Sequence, residues 1–162
     1  MSKILKTATP SAAQKKKWWI ATLPGAVLAL IGFIGKPWIS SILDSGSKNG
    51  ALASKATSDF DFVLPLLTVV GVLGVALFVF EAWTAVMQSS TKIVVTEDGV
   101  QGTSCPVFAF FTRNFSLKFS EIEVVEAPKD IAMMIRAKGV LHVIHAEGSQ
   151  EVVKMIKELK SR

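Results

Sequence analysis

Two uncharged apolar runs, Trp18–Gly35 and Phe62–Phe80, constrain this chain more than any other feature. At a helical rise of ~1.5 Å per residue each covers roughly 27–28 Å, about the thickness of a bilayer's hydrocarbon core. Lys17 and Lys36 bracket the first run, and Asp61 and Glu81 the second. A core helix of a soluble protein keeps a polar face, and neither run has one. The expectation is a two-helix transmembrane hairpin over residues 18–90, with an outer loop at about 36–61.

Charge is spread unevenly around the runs. Residues 1–17 carry five lysines and no acid, and residues 36–61 balance three lysines against three aspartates. Residues 91–162 hold ten basic and nine acidic side chains. The formal charge of +5 therefore sits in what reads as a basic N-terminal tail, 1–17, and leaves the C-terminal part nearly neutral. Such a domain offers no basic face to nucleic acid. Lysines beside a span stay on the cytoplasmic side and attract anionic lipid heads. Both termini are accordingly expected in the cytoplasm. Trp18, Trp19, Trp38 and Trp83 flank the runs, where amphipathic rings sit at headgroup level. A signal peptide is the competing reading of the first run. The length of the run and the lack of a small-x-small cleavage site before Trp38 favour a retained helix.

Pro24 and Pro65 fall within the first two turns of each run, where a missing N–H costs least. Pro37 is expected to end or kink the first helix, with Trp38–Leu43 along the outer interface and Asp44–Asp59 a flexible loop. Gly25, Ala29 and Gly32 form a small-residue stripe on the first helix, and Thr68, Gly71 and Gly74 a looser arc on the second. Small residues let helix backbones approach closely in lipid. An intramolecular hairpin is the simpler use of them, and dimerisation through one stripe the alternative. Glu81, the acid touching a span, is expected at headgroup level rather than in an ion pathway.

From Thr91 the pattern changes to short β-branched and alternating segments. Thr91–Thr96 and Val100–Ser104 flank Glu97-Asp98-Gly99, a hairpin signal. Phe115–Phe119 alternates, Glu121–Glu126 follows and ends before Pro128, and Ala137-Lys138-Gly139 joins Ile131–Arg136 to Val140–His145. Val152, Val153, Ile156 and Leu159 then fall on one helical face, with Ser149 as the expected cap. The fold class is α+β: two transmembrane helices followed by a small antiparallel β domain, closed by a C-terminal amphipathic helix.

Ile93-Val94-Val95-Thr96-Glu97-Asp98-Gly99-Val100 resembles the opening hairpin of bacterial pleckstrin-homology-like (PH-like) domains. Phe119-Ser120-Glu121-Ile122-Glu123-Val124-Val125 is similar to the family's central signature, with Phe119 where Trp is frequent, and Ser149–Lys160 matches its closing helix. The resemblance covers residues 91–162. It implies a PH-like domain at a bacterial cytoplasmic membrane and an oligomeric scaffold rather than a phosphoinositide reader.

Cys105–Phe111 is apolar beyond what a loop needs. Its aromatics either extend a strand into the core or form a surface of Phe108, Phe110 and Phe111, with Arg113 and Lys118 beside it, that meets lipid or a partner. No set of catalytic groups stands out. His142 and His145, three apart on a strand, point to opposite faces, so one is expected in solvent and the other packed. Cys105 has no placed base, and no Gly-rich phosphate loop precedes a helix. No metal, cofactor, small-molecule substrate or enzymatic role is expected. The reading is a membrane-anchored interaction module that binds a protein partner or itself. An accessory subunit of a larger membrane complex, or a transport-associated element, is the alternative.

Overall fold

A computed structural model describes residues 3–47, 62–105 and 111–162. The fold is α+β, with two antiparallel sheets and two helical segments long and apolar enough to cross a membrane, Ala12–Ile42 and Val63–Ser89. By contacts it divides into two units: Trp19–Ala82, and Met1–Trp18 together with Trp83–Arg162.

The helical unit holds most of α2 (Leu23–Ser47) and α3 (Val63–Ser89). The preceding α1 (Ala12–Ala21) ends at Thr22. Pro24 explains the interruption, since its ring clashes with the carbonyl one turn back and offers no N–H to it. The chain bridges the gap with Thr22 N–H and Oγ1 both donating to the Trp19 carbonyl, at 3.2 and 2.8 Å. Pro37, by contrast, does not end the helix: α2 runs through it to Ser47. The expected outer loop at 36–61 therefore begins at least twelve residues later, after Ser47. One missing N–H is a small loss in a helix this long, and Ser40 Oγ donates to the Pro37 carbonyl at 2.9 Å. The rest of the expected loop, 48–61, lies outside the described residues.

Among the described residues the β unit contains seven strands where the sequence suggests six. A four-stranded antiparallel sheet runs β1 (Ile4–Ala8), β2 (Lys92–Thr96), β3 (Gly99–Ser104), β4 (Arg113–Lys118). A three-stranded one runs β5 (Ile122–Lys129), β6 (Ala132–Ala137), β7 (Val140–His145). A 3₁₀ turn, Phe119–Glu121, joins β4 to β5. The extra strand corrects the reading of residues 1–17 as a tail. β1 pairs antiparallel with β2, Thr7 opposite Val94 and Ala8 opposite Ile93, although both long helices lie between them in the chain. Ala8 is buried against the core, and Lys6 forms an ion pair with Glu151 of α4 (Ser149–Lys160). The boundary expected at residue 91 shifts as well, because the last turns of α3 from Trp83 and the first turns of α1 belong to the β unit.

Alternation places Ile93, Val95, Val100 and Phe115 of one sheet, and Ile122, Val125, Met133, Ile135 and Ile144 of the other, in one core. α4 covers it with Val152, Val153 and Ile156. Each such side chain contributes about 1.5–3 kcal/mol when removed from water. The Cys105 N–H donates to the Val143 carbonyl at 2.8 Å and ties the end of β3 to β7. Lys138 and Gly139, at φ 51° and 73°, make the turn between β6 and β7, a tight hairpin that needs positive φ at both positions. Ser149 does not cap α4, since its hydroxyl donates to the Ala146 carbonyl at 2.7 Å. The cap comes from another loop: Asp130 Oδ1 accepts the Gln150 N–H at 3.1 Å, and its carbonyl accepts that of Ser149, also at 3.1 Å. A carboxylate suits the positive end of a helix.

Candidate functional site

Strand register gathers one set of residues at one end of the β unit. Lys92, the first residue of β2, stands opposite Thr103, and Ser104 opposite Arg113. Ala132 stands opposite both Lys129 and His145. The hydroxyl of Thr91 lies 2.8 Å from the His145 carbonyl oxygen and accepts the His145 N–H at 3.2 Å. Gln14 Nε2 donates to the Ile131 carbonyl at 3.0 Å. This end, which holds Thr91–Lys92, Ser104–Cys105, Phe111–Arg113, Lys129–Ile131 and His145, is therefore where the chain arrives from both α1 and α3.

The residues singled out as an interaction surface do not stay together. Phe111 is 73% exposed, and Arg113, at the start of β4, is exposed beside it. Lys118 closes the same strand five residues on, about 17 Å away at ~3.4 Å per residue. There its N–H donates to Glu121 Oε2 at 2.9 Å, and Lys138 pairs with Glu121 Oε1 at 2.7 Å. These partners hold the Glu121 carboxyl below its ordinary pKa, the Lys138 hydrogen bond first. Phe108 and Phe110 lie outside the described residues. Strand register brings Lys92 and Lys129, both exposed, to the same end of the β unit as Phe111 and Arg113. Reasoning by nearness in sequence missed them, and only strand order could have found them.

Behind this end lies a buried polar group. His142 is 5% exposed and Ser104 is fully buried. Ser104 Oγ lies 3.1 Å from His142 Nδ1 and 3.2 Å from the Arg113 carbonyl, and the Phe115 ring lies 4.7 Å from the imidazole. The tautomer with the proton on Nδ1 satisfies both contacts, the serine hydroxyl donating to the carbonyl and accepting from the ring. The buried pair links β3, β4 and β7. His145, expected in solvent if His142 was packed, sits edge-on to Trp18 at 5.5 Å, so both histidines are packed.

Burial pushes both imidazole pKa values down, and the Arg113 charge adds to the effect at His142. Their folded pKa values lie below the unfolded value of about 6.5. The unfolded chain then binds more protons in the interval between the two, and stability rises with pH there. Unfolding of the intact chain in detergent is expected to show full stability from these groups above about pH 6.5. Below that it should fall by up to ~1.4 kcal/mol per pH unit for each histidine, until the folded pKa is passed. His142→Gln should flatten part of this slope, and an unchanged profile between pH 7.5 and 5.5 would count against the buried placement.

In the helical unit the small residues named above meet across a seam. A methyl added at Gly32 would overlap the Gly71 backbone, one at Gly74 the Ala29 backbone, and one at Gly25 would stand 2.6 Å from the Phe78 nitrogen. Thr68 turns back on its own helix, with Oγ1 donating to the Leu64 carbonyl at 3.0 Å. Glu81 Oε2 is buried without a hydrogen-bond partner.

An open groove of about 630 Å³ at the far end of the first sheet is lined by Ile4, Thr96, Gly99, Leu117, Lys118 and Glu121 among others, without histidine or cysteine. Among the described residues no three His, Cys, Asp or Glu side chains are placed to share a metal ion. Compared with known proteins, the chain matches no family model, and no curated relative matches it.

Proposed function

We propose that this chain is a membrane-anchored interaction module. In this reading α2 and α3 cross the bilayer as a hairpin, and the β unit is a PH-like domain at the inner face of a bacterial cytoplasmic membrane. It binds a protein partner or a second copy and carries out no reaction. The observation that carries the reading is the pairing of β1 with β2. The strand before the first apolar helix and the strand after the second share one sheet, so both flanks of the hairpin belong on one side of the membrane. The same pairing supports retention of the first helix, since cleavage after it would separate β1 from the chain. Of the most apolar stretch of each helix, only 17% and 11% is buried, whereas a soluble core helix would be mostly covered. The order of four and three antiparallel strands closed by a C-terminal helix supports the PH-like assignment.

A second reading rests on Glu81. A buried carboxylate oxygen without a donor in an apolar helix favours a partner that supplies one, as in an accessory subunit of a larger membrane assembly or a transport-associated element. One preparation separates the readings. Reporters fused before Met1 and after Arg162 should both be active in the cytoplasm alone, and activity of either on the far side would overturn the hairpin. Intact mass of the complex extracted from that membrane then distinguishes a homomer or a single partner from a multi-subunit assembly.

A further inference from the structure

We propose that the end of the β unit from which α1 and α3 depart is a contact surface for an anionic leaflet, with Phe111 entering the acyl boundary and Lys92, Arg113 and Lys129 at the phosphate level. The inference rests on the reading above that the two apolar helices span a bilayer, and it specifies a ligand for a surface that this reading leaves open.

Charge supports it first. Because residues 1–18 belong to the β unit, that unit holds fifteen basic and nine acidic side chains and is not nearly neutral. The excess is local. The helix-bearing end carries Lys15, Lys16, Lys17, Lys92, Arg113 and Lys129, all exposed, against Asp130 and Glu147. The rest of the unit holds nine basic and seven acidic side chains. Juxtamembrane clusters of this size attract anionic headgroups.

Apolar exposure supports it second. Phe111 (73% exposed) and Ile131 (48%) lie at the same end as these cations. Within the β unit, strand register puts Phe111 two residues before Arg113, which pairs with Ser104 next to the start of β2. An exposed aromatic at the same end of the β unit as a group of cations, where that unit continues into the apolar helices, matches the two chemistries of a membrane interface, where a ring enters the acyl boundary and ammonium or guanidinium groups meet phosphates. A protein partner would not require both features at the end of the β unit that continues into α1 and α3.

The test uses the full chain in nanodiscs of phosphatidylcholine alone, or of equal parts phosphatidylcholine and phosphatidylglycerol. A nitroxide is attached, in a Cys105→Ala background, at Phe111→Cys, at Ser120→Cys in the exposed 3₁₀ turn beyond the opposite end of β4, or at Val72→Cys on the exposed face of α3. The ratio of oxygen to nickel-chelate accessibility reports depth. Label 72 should read as lipid-embedded in both compositions. Label 111 should read several-fold above label 120 in the mixed discs, and Lys92→Glu with Arg113→Glu should return it to the level of 120. Those two side chains are exposed, so the substitutions leave the core intact. If 72 is embedded but 111 stays as aqueous as 120, or reads the same in both lipid compositions, this inference fails and the hairpin stands. If 72 is itself aqueous, both fail.

Discussion

Replacing Ala8 by aspartate is expected to strip β1 from the sheet. Ala8 is 6% exposed, faces the core shared by Ile93, Val95 and Val152, and stands opposite Ile93 in the β1–β2 register. A carboxylate placed there has no partner, and an unpaired buried charge destabilises by on the order of 3–5 kcal/mol. The chain can limit this loss by detaching the strand, so the damage should be largest where β1 lies. Hydrogen exchange of the intact chain in detergent should show protection across Ile4–Ala8 abolished and that across Lys92–Thr96 reduced by about 100-fold, equivalent to ~3 kcal/mol. Thr7→Asp, on the exposed side of the same strand, should leave β2 protected. If residues 1–17 were a solvated tail the two substitutions would behave alike, so equal and silent profiles would remove β1 from the fold.

That strand also marks where sequence reasoning stops. β2 to β7 and α4 could be placed from local pattern because each announces itself within a few residues: the alternation of Phe115–Lys118, the turn at Asp98-Gly99, the single face of Val152, Val153 and Ile156. β1 has no such mark. Of Ile-Leu-Lys-Thr-Ala only Ala8 is buried, while Ile4 and Leu5 are 60% and 39% exposed, and its partner strand follows both long helices. An edge strand with one inward residue is stabilised by non-local pairing, which composition does not report. Missing it misplaced five lysines and with them the charge of the domain. For Pro37 the expectation of a helix end fails for the opposite reason: a local rule about proline meets a long helix, where context offsets one lost hydrogen bond and the helix continues to Ser47. The candidate surface was gathered by nearness in sequence, yet a strand carries Arg113 and Lys118 to opposite ends of a sheet. Of the surface proposed from sequence, Phe111 and Arg113 stay together, and the lysines that accompany them come from other strands.

The remaining large effect concerns the helical unit, where two glycines on one helix should respond to the same substitution with opposite signs. At Gly32 a methyl group would overlap the Cα and nitrogen of Gly71 and stand 2.6 Å from the Leu67 carbonyl oxygen, all backbone atoms that a rotamer change cannot move. The helices would have to part, and because Gly25 and Gly74 close the same seam, the parting would loosen those contacts as well. Overpacking of this kind costs about 1–3 kcal/mol, and Gly32→Leu should exceed Gly32→Ala. Gly35 lies one turn on along α2, but a methyl there meets only the Leu67 side chain at 3.8 Å, an ordinary contact. Gly35→Ala should therefore stabilise by up to ~1 kcal/mol through reduced backbone freedom. Thermal unfolding of each variant in one detergent reads both signs directly. A destabilised Gly32→Ala beside a stabilised Gly35→Ala is the expected result. Equal shifts at the two positions would mean that the α2–α3 seam does not run through Gly32 and Gly71, and that these small residues serve contacts with another helix.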